Sequence, residues 1–309
     1  MLAAVTVVLA WLSLYVPFLA MVLPAPITLL IFRYGPGTGV MAWVVTALLS
    51  GVLGGGIGSV LMLVPAGLLS LGLGVSLHRK WSPRTTLWVA TGAGIVATLA
   101  SLGISLGISG VNPIETFLKI YEESFTKAAG WYRGMGIPEE QVKLLEEAQK
   151  GILTLVRLLF PAGILWASLV SAFVNHWAVR QVLGRMGEKL EWFAPFARWR
   201  SSMAGPIALG AGSLLPLMGL RQGAWEMVSA NLLVVGGLIC LVQGLSLLWF
   251  WLERLQVSKG VRLLLVFLLM FWTPALAVGG AGGFAAVSLG QIGLGVAGFF
   301  DPWFNFRRL

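Results

Sequence analysis

Long, uninterrupted apolar runs constrain this chain more than any other feature of its sequence. Charged residues make up only 11% of the chain and hydrophobic residues 58%, whereas a soluble domain carries about 25% charged residues. Many runs approach or exceed the roughly 17–25 residues with which a helix crosses a bilayer. The runs are continuous, unlike the alternating strands of a membrane β-barrel. The sequence therefore predicts an all-α, polytopic transmembrane helical bundle.

The apolar runs divide the chain into about ten predicted spans. Pro17 separates the first two, which are short and could instead form one long kinked span, making nine. Gly51–Gly58 is a predicted turn, Gly279–Gly283 a predicted hinge, and Pro161 a predicted kink. The spans cover residues 2–16, 18–32, 36–50, 59–77, 85–109, 151–179, 203–218, 227–252, 262–279 and 284–300.

The charges between the spans predict the orientation of the bundle. When Arg33, His78–Arg84, residues 180–202 and 253–262 and the C-terminal tail share one side, that side carries most of the 21 basic residues. The opposite side carries more acidic than basic residues. Lys and Arg are enriched in cytoplasmic loops. Both termini are therefore predicted to be cytoplasmic, and residues 111–150 external.

The external segment 111–150 is the most polar part of the chain. An apolar stripe at helical spacing predicts an amphipathic helix, and Gly130–Gly136 is predicted to break it; the stripe comprises Ile114, Phe117, Leu118, Tyr121 and Phe125. Pro138 and two following glutamates predict a second helix that continues into the span near Gly151. Three interpretations stay open: an interfacial helix on the outer leaflet, a lid over an external pocket, or a docking site. In the lid interpretation Tyr121, Trp131, Tyr132 and Arg133 contact the ligand.

Five of the polar residues within the predicted spans have predicted roles. Arg157 either snorkels to the outer interface or lines a cavity. Asn175 and His176 are predicted to be polar groups at the inner end of a helix. Asn231 and Gln243 are predicted to make hydrogen bonds between helices.

Glycines recur at a spacing that predicts close helix packing. Hinges in a moving transporter are the alternative interpretation. The pairs are Gly51/Gly55, Gly54/Gly58, Gly103/Gly107 and Gly279/Gly283.

Two segments combine aromatic and basic residues. Such a combination can bind single-stranded nucleic acid, but beside a membrane it is typical of rings at headgroup depth and cations on anionic lipid. We therefore predict no nucleic-acid partner. Asp301-Pro302 is predicted to stop the last helix. The predicted interfacial anchors are Trp192, Trp199, Trp303, Phe304, Phe306, Arg307 and Arg308.

The sequence lacks the motifs of common enzyme chemistry. It has no G-x-x-x-x-G-K-[ST], H-E-x-x-H or G-x-S-x-G motif. Cys240 is the single cysteine, and His78 and His176 are far apart, so neither a metal site nor a cofactor is predicted. No acidic residue is predicted at mid-membrane, which leaves a carboxylate proton relay without a candidate. The chain is predicted not to be an enzyme, and active transport would need a separate energising partner.

The two ends of the chain resemble a known family. The opening "LAAVTVVLAWLSLYVPF" and "LPAPITLLIFRYGPGTGVMAWVVTALLSG" and the closing "GFFDPWFNFRR" are similar to the YybS-like family of uncharacterised bacterial membrane proteins. The resemblance covers essentially the whole chain. It implies a multi-pass protein of the bacterial cytoplasmic membrane.

Members of that family resemble, over their first six helices, the substrate-binding S components of energy-coupling-factor vitamin transporters. This resemblance implies a six-helix core, an external pocket and a partner-binding face on the first helix, where Ala3, Ala4, Val7 and Val8 occupy the matching positions. The implied domains are the core of residues 1–110 and 151–180, the insertion 111–150, a cytoplasmic interfacial loop 181–202, a four-span bundle 203–300 and the tail 301–309.

The resemblance also implies a function. The chain would bind a small cofactor-like molecule for uptake and work with a separate ATPase and transmembrane module. The alternative is a non-transporting scaffold or regulator that binds another membrane protein or lipid.

Overall fold

Helices dominate the computed structural model, which describes residues 2–13, 15–53, 57–110, 112–199, 203–271, 275–278 and 285–307. The predicted helical class is confirmed for these residues. The helices in chain order are α1 Leu2–Ser13, α2 Pro24–Tyr34, α3 Pro36–Leu53, α4 Ile57–His78, α5 Pro83–Ser109, α6 Pro113–Gly134, α7 Glu139–Arg185, α8 Ala204–Leu217, α9 Ala224–Arg254, α10 Lys259–Phe271 and α11 Leu289–Phe304. Short 3₁₀ turns occupy Pro17–Val22 and Phe196–Arg198.

A short pair of strands interrupts the predicted span 262–279. α10 ends at Phe271, and β1 (Ala275–Val278) pairs antiparallel with β2 (Ala285–Ser288). The prediction of one continuous helix over residues 262–279 was therefore wrong. Pro274 in the sequence gives the reason, because proline disfavours helix in the preceding residue. The predicted hinge at Gly279–Gly283 lies outside the described residues.

Four described helices are long and apolar enough to cross a membrane: Pro36–Leu53, Pro83–Ile108, Glu139–Arg185 and Ala224–Arg254. Four other apolar helices are shorter, including Ala204–Leu217. The count of nine or ten spans and the orientation of the bundle stay predictions.

One compact unit comprises Met1–Phe117 and Gly163–Phe193. Within it α2, α4, α5 and the last part of α7 share an apolar core, in which Leu73, Val179 and Leu183 have no solvent exposure. The central position of this part of α7 follows from its sequence, since its buried residues recur at helical spacing along one face.

A second compact unit comprises Leu118–Ala162 and Ala194–Leu309. Glycines bring α9 into backbone contact with its neighbours in this unit. A Cβ at Gly244 would strike the carbonyl of Leu294, and one at Gly298 would strike the carbonyl of Cys240. α9 and α11 therefore pack backbone against backbone, as small residues allow in membrane helices.

The glycines that make these contacts differ from the predicted pairs. Gly103 and Gly107 on α5 have open space where a Cβ would lie. Each of the other three predicted pairs includes a glycine outside the described residues. The predicted domain bounds also stay a prediction.

The helix α7 is unusually long. Its 47 residues extend over about 70 Å, compared with about 30 Å for the hydrocarbon core of a bilayer. It begins directly after Pro138 and runs without interruption through Gly151, which confirms the predicted continuity of the second external helix with the span.

Candidate functional site

Helices α6 and α7 form a hairpin that contains most of the candidate substrate residues. The side chain of Gln149 donates a hydrogen bond to the carbonyl of Glu122, 3.3 Å away, and Leu118, Ala129 and Val142 are buried. Of the predicted apolar stripe, Leu118 is thus buried, while Ile114, Tyr121 and Phe125 are partly buried. Phe117, which was predicted as part of the stripe, is instead exposed.

The turn between the two helices lies at the end of the segment predicted to break the helix. α6 continues through Gly130 to Gly134, so the predicted break within Gly130–Gly136 is confirmed at its last residues. The turn forms at Gly136, which has φ +79°, and the amide of Ile137 donates to the carbonyl of Tyr132. A left-handed residue followed by this hydrogen bond is the Schellman ending of a helix. Gly130 and Gly134 are tolerated within α6. Gly136 ends the helix because its left-handed backbone reverses the chain.

Arg133 is held by two glutamates of α7. Its Nε lies 3.1 Å from Oε2 of Glu139, and its Nη2 lies 2.9 Å from Oε1 of Glu146. These two carboxylates raise the pKa of Arg133. The contacts close the end of the hairpin, and an anionic ligand would have to compete with them for the guanidinium.

The other candidate residues are distributed along the hairpin. Trp131 is 79% exposed near the turn, while the ring of Tyr121 packs against Phe125 at 5.5 Å between centroids. Arg157 is exposed and lies eleven residues beyond Glu146 on α7, which is about 16 Å along the helix axis. The candidate residues are thus spread along the hairpin, and Glu146, which pairs with Arg133, was not among the predicted site residues.

Asn231 bonds to the backbone of α7 beside a proline. Pro161 lies inside that helix, and a proline in a helix interior removes one backbone hydrogen bond and clashes with the preceding turn. The Asn231 side chain accepts a hydrogen bond from the amide of Ala162 at 2.7 Å and donates one to the carbonyl of Leu158 at 2.7 Å. These two groups would bond to each other in a regular helix. The predicted hydrogen bond between helices is confirmed, and it gives two backbone groups beside the proline a partner.

Asn175 and His176 are buried inside the first unit. Asn175 donates to the carbonyls of Met21 and Ser171 at 2.6 and 2.8 Å, so its prediction as a helix-end group was wrong. His176 is 1% exposed and lies beneath the rings of Trp192 and Phe193. The sequence signal for this arrangement was weak, because both residues lie near the polar end of an apolar run.

The C-terminal tail inserts a charge into the second unit. Arg307 is 3% exposed; its Nη1 donates to the carbonyls of Ala197 and Trp199 at 2.7 and 3.0 Å, and its Nη2 lies 3.4 Å from Oδ2 of Asp301. Asp301 also accepts a hydrogen bond from Gln243 at 2.8 Å, which confirms the predicted role of Gln243. The prediction of Arg307 as an interfacial anchor was wrong, because a buried carboxylate and several carbonyls bind its guanidinium inside the unit.

The end of α11 also departs from the prediction. The helix does not stop at Asp301 but continues through Pro302 to Phe304. The amide of Asn305 still bonds to the carbonyl of Asp301, so the last turn closes despite the proline. Trp303, Phe304 and Phe306 are exposed. Arg308 lies outside the described residues.

The structure describes three of the four side chains on the predicted partner-binding face of α1. Ala4 and Val8 are exposed and Val7 is partly buried, while the side chain of Ala3 lies outside what the structure describes. Val5 and Trp11 extend this exposed apolar surface.

Comparison with known proteins supports the membrane assignment. Residues 4–285 match the family described as "Predicted membrane protein (DUF2232)". The chain is 22% identical over 273 residues to "Uncharacterized protein YybS" of Bacillus subtilis (strain 168), covering 86% of this chain and 85% of that protein. No solved structure matches, and the similarity to S components stays a prediction. The chain belongs to the DUF2232 family of membrane proteins.

Proposed function

We propose that this protein is a membrane-embedded binding component for the uptake of a small cofactor-like molecule. It acts without catalysis, in the bacterial cytoplasmic membrane, with a separate ATPase and transmembrane module that supplies energy. The supporting observation is that α1–α5 and residues 163–185 of α7 belong to one compact unit. Six helical segments with an insertion before the sixth correspond to the arrangement that the S-component resemblance implies.

In this proposal the α6–α7 hairpin is the external lid. Tyr121, Trp131 and Tyr132 provide ring surface for a planar ligand. Arg133 binds a carboxylate or phosphate group of the ligand, which replaces Glu146 in the pairing seen here. Arg157 is the second candidate cation on the route from the lid to the span.

The experiment compares small molecules released from the purified protein. The wild type and an Arg133→Gln variant are purified in parallel from the same cells, and their extracts are analysed by mass spectrometry. A compound enriched with the wild type and lost with Arg133→Gln supports the proposal. Lys127→Gln is the matched control, because Lys127 is an exposed cation on the same helix. Equal extracts from all three proteins would refute ligand capture by the lid.

A second function, as a scaffold or regulator for another membrane protein, is favoured by the exposed end of the hairpin. Trp131 and Met135 are 79% and 64% exposed there, and exposed apolar patches often mark protein interfaces. A photoreactive amino acid at position 135 tests this function in intact cells. A crosslinked protein that disappears with Trp131→Ser supports the scaffold, whereas the absence of a protein adduct contradicts it.

A further inference from the structure

His176 differs from several buried polar residues of the first unit that are hydrogen-bonded. Thr28 and Ser70 each donate to the carbonyl of Pro24, and the Asn175 amide nitrogen donates to that of Met21. Among the described residues, neither ring nitrogen of His176 has a hydrogen-bond partner, and Oδ1 of Asn175 has none either. Buried polar groups without partners are costly and rare in folded proteins. The two on the His176 ring call for a functional explanation.

Aromatic rings pack against the imidazole of His176. Residues Glu188–Phe193, here named the strap, are neither helix nor strand. The ring centroids of Trp192 and Phe193 lie 5.1 and 5.7 Å from that of His176, and both meet it edge to face. Phe173 lies 5.8 Å from each of these two strap rings. The unpartnered nitrogens of His176 therefore lie beside flat apolar surfaces.

The strap is joined to α7 in a way that allows it to move while the helix stays intact. Gly187 has φ +87°, and the amide of Glu188 bonds to the carbonyl of Leu183, so the chain turns sharply before the strap begins. The guanidinium of Arg180 lies 4.8 Å from the centroid of the Trp192 ring. When the strap moves away, its ring contacts and this cation–π contact are lost, but the backbone hydrogen bonds of α7 stay intact.

We propose that His176 binds an uncharged planar molecule that carries an N–H donor, such as a primary carboxamide, with the strap closing over it. A neutral imidazole accepts a hydrogen bond through one ring nitrogen and donates one through the other. The complementary ligand therefore donates an N–H to the accepting nitrogen. Arg180, one helical turn from His176, disfavours a cationic ligand. The rings of Trp192 and Phe193 stack on the planar part. The site uses none of the hairpin residues and is independent of the proposed uptake function.

The test uses benzamide as a probe and N,N-dimethylbenzamide, which keeps the ring and carbonyl but has no N–H, as its matched control. Full-length protein in lipid nanodiscs is titrated by equilibrium dialysis, with empty nanodiscs as the blank. We expect saturable binding of benzamide and at least about tenfold weaker binding of the dimethyl compound. His176→Phe keeps a ring in the site but removes both nitrogens. It should weaken benzamide binding at least about tenfold and at the same time raise the Tm, because the unpartnered atoms are gone.

His78→Phe changes the other histidine of the chain and should leave benzamide binding unchanged. Equal affinity for the two amides, no saturable binding of benzamide, or unchanged affinity in His176→Phe would each overturn the proposal. If His176→Phe does not fold, the ratio between the two amides on the wild type decides the question.

Discussion

The guanidinium of Arg307 and the carboxylate of Asp301 form an ion pair that is closed to solvent, with Nη2 and Oδ2 3.4 Å apart. The pair connects the tail to the end of α11. Arg307 also bonds to Ser246 of α9 at 3.0 Å and to carbonyls of residues 197 and 199. One side chain of the tail thus joins three segments of the second unit.

Arg307→Met should destabilise the protein strongly. The variant leaves Asp301 buried without its counter-charge, and breaking a buried pair costs about 3–5 kcal/mol. Arg307→Met combined with Asp301→Leu should lose less than the sum of the two single variants, because neither charge is then left alone. Denaturant unfolding in mixed micelles measures all three. Arg198→Met changes an exposed arginine and serves as the control, and equal losses for Arg198 and Arg307 would contradict the structure.

Asn231→Leu should destabilise the second unit. It leaves the carbonyl of Leu158 and the amide of Ala162 without the partner they have here, at a cost of about 2–4 kcal/mol. Adding Pro161→Ala should recover part of this loss, because a straight helix can re-form the bond between residues 158 and 162. Thermal unfolding of the two single variants and the double variant gives the coupling energy between the two substitutions. Additive losses would mean that Asn231 does not act through the proline.

Gly298→Ala should separate α11 from α9. The added methyl meets the carbonyl of Cys240, and relieving such an overlap costs about 1–3 kcal/mol or more. Gly295→Ala is the matched control on the same helix, because open space surrounds that position. It should be neutral or stabilise the helix by up to about 1 kcal/mol. Similar Tm values for the two variants would show that the close packing is not present.

The orientation of the chain can be tested by thiol labelling. Glu140→Cys places a thiol at an exposed position of the predicted external hairpin, and Ser258→Cys places one at an exposed position of a predicted cytoplasmic loop. Cys240, the native cysteine, is buried. In intact cells a membrane-impermeant maleimide should label residue 140 and not residue 258, and lysed cells should label both. The opposite pattern would invert the predicted orientation.

The helices and several interhelical contacts could be predicted because they depend on local pattern. The apolar run after Gly151 and the helix start at Pro138 were sufficient to predict α7 across the boundary between polar and apolar sequence. Asn231 and Gln243 were predicted to bond between helices, since a lone amide in an apolar run needs a partner. Their partners are the backbone groups of Leu158 and Ala162 for Asn231 and the carboxylate of Asp301 for Gln243. These partners lie 58 to 73 residues away and were not predictable from spacing.

The close glycine contacts follow a spacing of small residues on α9 that was not among the predicted pairs. Gly236, Cys240 and Gly244 recur every four residues on α9 and form the small-residue face that α8 and α11 meet. The pair Gly103/Gly107 has the same spacing without such contact. Spacing places small residues on one face of a helix, but the neighbouring helix decides whether that face is used.

The sequence by itself determined that this chain is a helical membrane protein, because a scarcity of charge and long apolar runs leave few other structures open. It also predicted several helix ends to within a few residues, because prolines, glycines and charged loops interrupt the apolar runs. Only the tertiary structure decided which polar side chains lie inside. Arg307 and His176 are buried because distant segments bring carbonyls, a carboxylate or aromatic rings around them, and whether a polar group is exposed or enclosed depends on those neighbours rather than on its own position in the chain.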